Sequence, residues 1–407
     1  MRVLLSEGNG LTARQTASLL ARAGHHVEVL SCDPVCLCRF TRHVRHVHAV
    51  PAYGTDPYGW LDAALDVAAR RRADLLFPTQ EQVAVLAAAS GRLREAGLRP
   101  VVPEFAALAR VQDKRAAHAT LDGLGLPQPP TTIITTAGEL DRVTPPVYVK
   151  APIGTASTGV VHVRTREELR NLAARYDRAG VFASGDGVLA QRPADGPLVM
   201  TQSVFAHGEL VAFHACERTR AGVNGGASHK RGRPLPEAAD HLRTLGAALE
   251  WHGALSADVI AAPDGPSIID VNPRLVEPVN AYLSGVDLVG AMVEIARTGT
   301  APAREPRRTG VRTHQFLLAL FEAARRGGRV AVAREVWRAG TRRADYRGGT
   351  EELEPSRGDP PAAAFQAALV LAVLTRPALW QRLAGGSIEA YALTPDAWRR
   401  ITERAAG

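Results

Sequence analysis

Two acidic residues on either side of a tight turn form the part of the sequence best suited to chemistry. Residues 256–274 read SADVIAAPDGPSIIDVNPR, which predicts two strands joined by a three-residue loop at 263–265, a type I turn followed by a left-handed glycine. Pairing outward from that loop sets Asp258 opposite Asp270, and strand alternation brings Asn272 to the same face. Opposed carboxylates repel each other unless a cation compensates them. Oxygen ligands of this kind favour Mg²⁺ shared with phosphates, and an exposed polar hairpin face is the alternative.

Lysine is scarce in this chain, and each lysine therefore carries information. Among the 49 basic residues only Lys114, Lys150 and Lys230 are lysines. In a chain so biased toward arginine, a lysine is expected where a compact ammonium is needed and a planar guanidinium does not fit. Phosphate pockets are one such place.

A loop of small residues follows the second lysine. The stretch PPVYVKAPIGTASTGVVHV predicts a strand ending at Lys150, a loop and a returning strand. Glycines let a backbone close over phosphates, and loop amides and hydroxyls can donate to phosphate oxygens. The loop residues concerned are Gly154, Thr155, Ser157, Thr158 and Gly159. Since Lys150 precedes the glycines this is not a Walker loop, and an ordinary hairpin turn is the alternative.

The elements that must position these groups begin with an alternating pattern. Predicted strands at 3–6, 27–30 and 74–78 alternate with helices, which indicates a parallel sheet in a Rossmann-like half domain. The turn SEGNG after the first strand lacks the third glycine of a dinucleotide fingerprint. Glu81 follows the third strand, where open parallel sheets bind ligands, although helix capping explains it equally well.

Composition excludes several other classes. The net charge is +8, but aromatic residues are only 5% and no basic run is interleaved with them, which argues against nucleic-acid binding. No apolar segment reaches the length of a membrane span. The apolar run within the first ten residues is too short for a signal peptide. Four cysteines in a chain of 407 residues make no disulfide framework, so we expect a reduced, cytoplasmic setting.

Taken in order, the motifs closely resemble those of the ATP-grasp ligases. They are DK at 113–114, GLPQP, VYVK with its glycine-rich loop, VLAQRPADG and DVNPR, and the resemblance extends to about Thr300. It implies an α/β ATP-grasp fold with a Rossmann-like preATP-grasp domain at 1–110 and a two-lobed ATP-grasp domain at 111–305. The remainder, 306–407, is expected to be a small, mostly helical region whose role the sequence does not reveal.

The resemblance implies how ATP is held. Lys114 and Lys150 would contact its phosphates, together with the glycine-rich loop. The residues from Gln191 to Ala194 would form the hinge between the lobes, where the family binds adenine through a backbone carbonyl and a backbone amide. Arg192 and Ala194 fit those two positions. Many relatives hold the ribose with an acid just after the hinge glycine, whereas here Gly196 is followed by Pro197.

The resemblance also implies the metal and the chemistry. The metal ligands, for two Mg²⁺ ions or for Mn²⁺, would be Asp258, Asp270 and Asn272. Lys230 resembles the third lysine of the D-alanine ligase branch, and Arg274 would meet the transferring phosphate or a substrate carboxylate. Further substrate contacts are expected from Glu81, Arg218 and Arg220. The segment 218–233 is expected to be a mobile loop that closes over the triphosphate. Ser256 replaces an arginine of the D-alanine ligases, which argues against D-alanine as substrate.

The activity implied is amide or peptide bond formation from a small-molecule carboxylate and an amine, through an acylphosphate. Two alternatives remain: an enzyme that phosphorylates bicarbonate in a carboxylation or carbamoylation, and a nucleotide-binding protein without turnover. The partners expected are the small-molecule substrates and a second copy of the chain in a homodimer, with no nucleic acid and no membrane.

Overall fold

The amino-terminal strands form a parallel sheet. The computed structural model describes residues 1–155, 158–183, 187–353 and 358–406. The first sheet has the order β3-β2-β1-β4, with all pairs parallel. Its strands and helices are β1 (Arg2–Leu5), α1 (Leu11–Arg22), β2 (His26–Ser31), β3 (Val47–Ala49), α2 (Pro57–Arg71), β4 (Leu75–Phe77), α3 (Val83–Ala88), α4 (Ser90–Glu95) and α5 (Phe105–Gln112). The predicted parallel sheet is present, and the short edge strand β3 is an addition to it.

A second, antiparallel sheet of four strands has the order β5-β8-β6-β7. Its elements are α6 (Lys114–Gly123), β5 (Thr131–Ile134), α7 (Ala137–Arg142), β6 (Val147–Lys150), β7 (Val160–Val163), α8 (Arg166–Arg178) and β8 (Val188–Gln191). Alternating apolar residues of β6 and β8 pack against α7 and α8 in a core of their own. This small lobe presents the end of β6, with Lys150, toward the next sheet.

The third sheet has seven strands in the order β13-β12-β9-β10-β11-β14-β15. Its central elements are β9 (Leu198–Ala206), β10 (Glu209–Ala221), β11 (Ala227–Gly232), α9 (Pro236–Ala248), β12 (Gly253–Ala262), β13 (Gly265–Asn272), α10 (Val279–Leu283) and α11 (Leu288–Thr298). Helix α9 packs Leu242 and Leu245 against one core, and α11 packs Leu288 and Met292 against the other.

The carboxyl-terminal region completes that sheet rather than standing apart from it. Its elements are β14 (Arg312–His314), α12 (Phe316–Gly340), β15 (Thr350–Glu351), α13 (Pro360–Thr375), α14 (Leu379–Glu389) and α15 (Pro395–Ala406). Strand β14 pairs with β11, so it covers an edge that would otherwise be open. The region is mostly helical, as predicted. Across the described ranges, no helix has the length and apolar character needed to cross a bilayer.

Candidate active site

The β12–β13 hairpin sets the two acidic residues directly opposite each other. Asp258 pairs with Asp270 and Ser256 with Asn272, as the sequence predicts. The predicted three-residue loop is wrong, because Ala262 pairs with Gly265 and only Pro263 and Asp264 lie between them. The ladder therefore shifts by one residue between Asp258 and Val259. The extra residue on β13 is Ile269, a β-bulge that restores the predicted register at the acids.

Lys114 lies at the start of α6 and reaches across to the hairpin. Its Nζ donates to Asp270 Oδ1 at 2.7 Å. Helix α6 begins there because the side chain of Asp113 caps its first turn. Burial would lower the pKa of Lys114, but the carboxylates around it, Asp270 first, raise it above its usual value. Lys114 is therefore a fixed cation beside the acidic pair.

Lys150, at the end of β6, is held by two acceptors. Its Nζ donates to Gln191 Oε1 at 2.6 Å and to the backbone oxygen of Ile269 at 2.6 Å. Gln191 is itself fixed, because its Nε2 donates to Thr131 Oγ1 at 3.1 Å. Burial lowers the pKa of Lys150, and Lys114 adds to that shift. The bulge residue thus links the lysine of the small lobe to the hairpin.

The two carboxylates have different electrostatic surroundings. Burial and the facing Asp270 raise the pKa of Asp258 to about 6. Burial acts in the same direction on Asp270, but Lys114 and Lys150 outweigh it and hold its pKa below the ordinary value. An added cation between them would relieve the repulsion that Asp258 experiences.

The donor set fits Mg²⁺ shared with phosphates. Mg²⁺ is commonly held by one or two carboxylates plus substrate phosphates, and the register of the hairpin puts the Asn272 side chain on the same face as both acids. Within the described ranges, no cluster of three or more His, Cys, Asp or Glu side chains could hold a metal alone. The site is therefore suited to a metal that arrives with a nucleotide.

In the glycine-rich loop between β6 and β7, the described residues on either side of 156–157 are hydrogen-bonded to each other. Thr155 N donates to Thr158 Oγ1 at 3.0 Å, and Thr158 Oγ1 donates to Thr155 O at 2.6 Å. A Cβ on Gly154 would lie 2.2 Å from Thr158 O, so this position requires glycine. Gly159 has a φ of +79°. Ser157 lies outside the described residues.

The predicted hinge joins the small sheet to the large one. Residues 191–194 run from the end of β8 toward β9, without regular structure beyond Gln191. Arg192 N donates to Pro130 O at 2.9 Å. Its guanidinium donates to Thr144 O at 2.7 Å, so its side chain is engaged within the small lobe. Contacts of the Arg192 carbonyl and the Ala194 amide with adenine stay a prediction from the resemblance.

Arg274 and Glu81 form an ion pair where the first sheet meets the hairpin. Arg274 Nε donates to Glu81 Oε1 at 3.0 Å, and Gln112 Nε2 donates to Glu81 Oε2 at 3.3 Å. Both sequence-predicted residues therefore come together. Arg218 also acts on the acidic pair, because its positive charge lowers the pKa of Asp258 and so opposes the upward shift caused by burial and Asp270.

Lys230 occupies a buried ion-pair network. Its Nζ contacts a carboxylate oxygen of Glu277 and Glu352 Oε2, the latter at 2.7 Å. Burial would lower the pKa of Lys230, but these two carboxylates raise it well above its usual value.

The segment 218–233 is not the mobile loop that we predicted, because most of it pairs as β10 and β11. Arg220 points to Glu335, with contacts of 2.7 and 2.9 Å, away from the other substrate candidates.

Three acidic residues in or beside the candidate site were not predicted from the sequence. Glu7, in the turn after β1, accepts from Asn9 N and Gly10 N at 2.6 and 2.8 Å, and its Oε1 has no hydrogen-bond partner among the described residues. Burial raises the pKa of Glu7 to about 7. Glu277 and Glu352 are the partners of Lys230. Only the position of Glu7 after a strand of the parallel sheet gave a signal in the sequence.

Relatives identified by sequence cover parts of the chain. No protein-family model matches it. The carbamoyl phosphate synthase large chain of Thermus thermophilus is 25% identical over 225 residues, which are 51% of this chain and 22% of that protein. The biotin carboxylase of Halalkalibacterium halodurans is 26% identical over 278 residues, 62% of this chain and 61% of that one. The chain thus spans less than two thirds of the length of both curated relatives.

Solved structures define the fold. The biotin carboxylase domain of a Hydrogenobacter thermophilus 2-oxoglutarate carboxylase, in complex with MgADP and bicarbonate, matches with a TM-score of 0.61 at 17% identity, over 76% of this chain and 73% of that one. The L-amino acid ligase from Bacillus licheniformis matches with a TM-score of 0.57 at 15% identity, over 74% and 75%. Both have the ATP-grasp fold. This chain has the ATP-grasp fold as well, which confirms the prediction from its motifs.

Proposed function

We propose that this protein is an ATP-dependent carboxylate–amine ligase that forms an amide or peptide bond between small, amino-acid-like molecules. The observation that carries the proposal is the meeting of Lys114, Lys150, Asp258 and Asp270 where the small lobe faces the β12–β13 hairpin. Two ammonium groups beside two carboxylates suit a metal-bound triphosphate. The L-amino acid ligase among the solved neighbours supports this choice of reaction.

The reaction has two steps. A carboxylate oxygen of the first substrate attacks the γ-phosphorus of ATP, the bond to the β-phosphate oxygen breaks, and ADP leaves. The amine nitrogen of the second substrate then attacks the carbonyl carbon of the acylphosphate. The carbon–oxygen bond to phosphate breaks, the amine loses a proton, and phosphate leaves. No covalent bond to the protein is needed.

The side chains of this chain position and neutralise charge. Lys150 is aimed by Gln191 and by the bulge carbonyl of Ile269, and Lys114 by Asp270, so both ammonium groups are preorganised for phosphate oxygens. Bound Mg²⁺, held by Asp258, Asp270 and Asn272, would supply further positive charge to the phosphates. Arg274, fixed by Glu81, is the candidate for orienting the substrate carboxylate.

Phosphorylation of bicarbonate is the second candidate. It is favoured by the solved neighbour that binds MgADP and bicarbonate, and by the two sequence relatives, a carbamoyl phosphate synthase and a biotin carboxylase. The third candidate is a protein that binds a nucleotide but does not turn it over. The presence of every candidate phosphate and metal residue argues against it.

The proposal is tested by ADP release across pairs of amino acids and other small carboxylates, with bicarbonate included, followed by mass analysis of the products. An amide whose mass is the sum of both substrates less one water supports the ligase. ADP release with bicarbonate alone would support the carboxylase instead. Nucleotide binding with no ADP release for any pair would contradict both.

A further inference from the structure

The small lobe is a separate body within the chain. Its helices α7 and α8 and its four strands bury a core of their own, whose described members all lie between residues 134 and 190. The chain enters this lobe after residue 130 and leaves it after Gln191. A unit with its own core and two short connections can rotate about them as a rigid body. Its position over the β12–β13 hairpin therefore depends on contacts outside those connections.

Some of these contacts belong to the proposed nucleotide site itself. Lys150 Nζ donates to the backbone oxygen of Ile269 at 2.6 Å, which joins the end of β6 to the hairpin. Pro152, two residues further along, accepts a hydrogen bond from Lys114 N at 2.9 Å. Because the lysines of the site make both contacts, a change at either one would alter phosphate binding and lobe position together.

A further contact is made by a segment near the carboxyl terminus. We call residues 390–394, between α14 and α15, the C-terminal strap. Leu393 N donates to Thr155 Oγ1, at the start of the glycine-rich loop, at 3.3 Å. Leu393, Thr155 and Ile153 are all buried, and Leu393 and Ile153 belong to the same hydrophobic core. The strap thus binds the small lobe through groups other than the two lysines and the opposed acids.

The strap itself is fixed to the amino-terminal part of the chain. Thr394 Oγ1 donates to Gly54 O at 2.7 Å, and the Cys32 thiol donates to Ala390 O at 3.7 Å. Ala392 O lies so close to Gly54 that a Cβ there would be 2.8 Å away. The strap therefore contacts the amino-terminal domain at its first, third and last residues.

Helix α15, directly after the strap, adds a further anchor. It packs on α3 and buries Ala397 and Ile401 in the main core. The ring of Trp398 lies 5.8 Å from that of Phe105. Burial of these apolar side chains holds the strap in one position. The Leu393 amide is therefore presented to the small lobe by a rigid support.

We propose that the C-terminal strap is a latch that holds the small lobe closed over the bound nucleotide. The bond between Leu393 N and Thr155 Oγ1 has to break when the lobe rotates away, so each opening costs that contact. This role rests on the nucleotide site of the proposed function, and it is the same whichever carboxylate that site phosphorylates. It also gives the carboxyl-terminal region a role at the active site.

A latch has a kinetic signature that distinguishes it from a residue that binds the nucleotide. The strap contact joins two parts of the protein, so it stabilises the closed lobe equally with and without nucleotide. Nucleotide enters and leaves only while the lobe is open. Weakening the latch should therefore raise the association and dissociation rate constants by the same factor and leave Kd unchanged. Loss of a contact to the nucleotide instead raises the dissociation rate constant and Kd together.

The experiment loosens the strap from the side away from the small lobe. Gly54→Ala places a methyl group 2.8 Å from Ala392 O, so the strap has to move. The matched control is Gly91→Ala, on α4, where no neighbouring group lies within 4 Å of the added methyl. Thr394→Val removes the hydroxyl that binds Gly54 O, and Thr394→Ser keeps it.

Two measurements are made on the full-length proteins. The first follows association and dissociation of a fluorescent ADP with Mg²⁺ by stopped flow and gives both rate constants and Kd. The second is hydrogen exchange of the peptide that contains Leu393, with and without MgADP. The Leu393 amide is the donor of the latch bond, so its exchange reports separation of the strap from the lobe without relying on turnover.

We expect Gly54→Ala and Thr394→Val to raise both rate constants by about fivefold or more, with Kd changed by less than about threefold. The Leu393 peptide should exchange faster in both variants, and MgADP should slow its exchange in the wild type. Gly91→Ala and Thr394→Ser should behave as the wild type. If one variant does not fold, as judged by its thermal transition, the other decides. Should neither fold, exchange in the wild type decides: slower exchange with MgADP supports the latch, and unchanged exchange overturns it.

Unchanged rate constants in the folded strap variants would overturn the latch and leave the nucleotide site intact. A higher dissociation rate constant with an equal rise in Kd would also overturn it, because the strap would then act on a nucleotide contact alone. Failure of the wild type to bind the nucleotide would overturn the proposed nucleotide site and the latch together. Failure of the latch is therefore distinguishable from failure of the proposed function.

Discussion

Asp258 and Asp270 are direct partners in the β12–β13 ladder, although the register slips by one residue immediately beyond them. The slip is the bulge at Ile269, and the carbonyl of that residue accepts a hydrogen bond from Lys150 at 2.6 Å. A bulge leaves its extra residue outside the regular ladder, which frees its backbone groups for other partners. One local irregularity thus sets the opposition of the two acids and links them to the lysine of the small lobe.

Replacing Asp270 should uncouple nucleotide binding from Mg²⁺. Asp270→Asn removes one of the two opposed carboxylates and the ion-pair partner of Lys114, so the Mg²⁺-dependent gain in nucleotide affinity should fall on the order of 100-fold. The measurement is the Kd of a fluorescent ATP analogue titrated across Mg²⁺ concentrations. Asp264→Asn, in the exposed turn of the same hairpin, is the matched control and should behave as the wild type. Equal Mg²⁺ dependence in the two variants would contradict the metal assignment.

Lys150 should be needed for nucleotide binding rather than for folding. Lys150→Met keeps the length of the side chain but removes the ammonium, so nucleotide affinity should weaken at least tenfold while the thermal transition moves little. Arg170→Met, at an exposed position of α8 in the same lobe, controls for loss of a positive charge. Unchanged affinity in Lys150→Met would show that lysine scarcity was a misleading signal.

Lys230 should contribute to stability more than either other lysine. It is 2% exposed and contacts both Glu277 and Glu352, so Lys230→Met leaves two carboxylates without their cation and should cost about 3–5 kcal/mol of unfolding free energy. Urea unfolding measures this loss. Arg231→Met, on the same strand with a half-exposed side chain, should cost less than about 1 kcal/mol. A stable Lys230→Met protein that binds nucleotide poorly would instead favour a direct phosphate contact.

Stability should respond to the titration of Glu7. Its pKa is raised to about 7 by burial, above the value of 4.5 for an ordinary glutamate, so the folded state holds its proton more tightly than the unfolded state. The resulting stability is fully present below pH 4.5 and is lost as the pH rises through about 7. We expect the wild type to lose about 3 kcal/mol relative to Glu7→Gln between these limits. Parallel pH profiles of unfolding free energy for the two proteins would contradict the prediction.

The sequence was sufficient for those parts of the site that depend on local rules. Strand alternation and turn residues predicted the facing of Asp258 and Asp270, and lysine scarcity pointed to Lys114 and Lys150. The predicted length of the turn was wrong. The residues of the turn carry no information about a bulge at Ile269, which lies farther along strand β13. The opposition of the acids survived since the shorter turn and the bulge cancel.

Contacts between distant segments were beyond prediction. Glu352 meets Lys230 across 122 residues of sequence, and Leu393 meets Thr155 across 238. Nothing in the local composition of either segment specifies such a pairing, because burial and charge compensation are decided only when the sheets assemble. The same holds for the hairpin at 218–233, whose glycines and arginines favour a loop while strand β14 stabilises it as part of the sheet.

Oxygen transfer from the carboxylate substrate to phosphate tests the central claim most directly. The protein is incubated with ATP, Mg²⁺, the amine and a carboxylate labelled with ¹⁸O in both oxygens, and the released phosphate is analysed by mass spectrometry. The acylphosphate route predicts one ¹⁸O atom in each phosphate released per amide formed. Amide formation with unlabelled phosphate, or with the label in AMP, would contradict it.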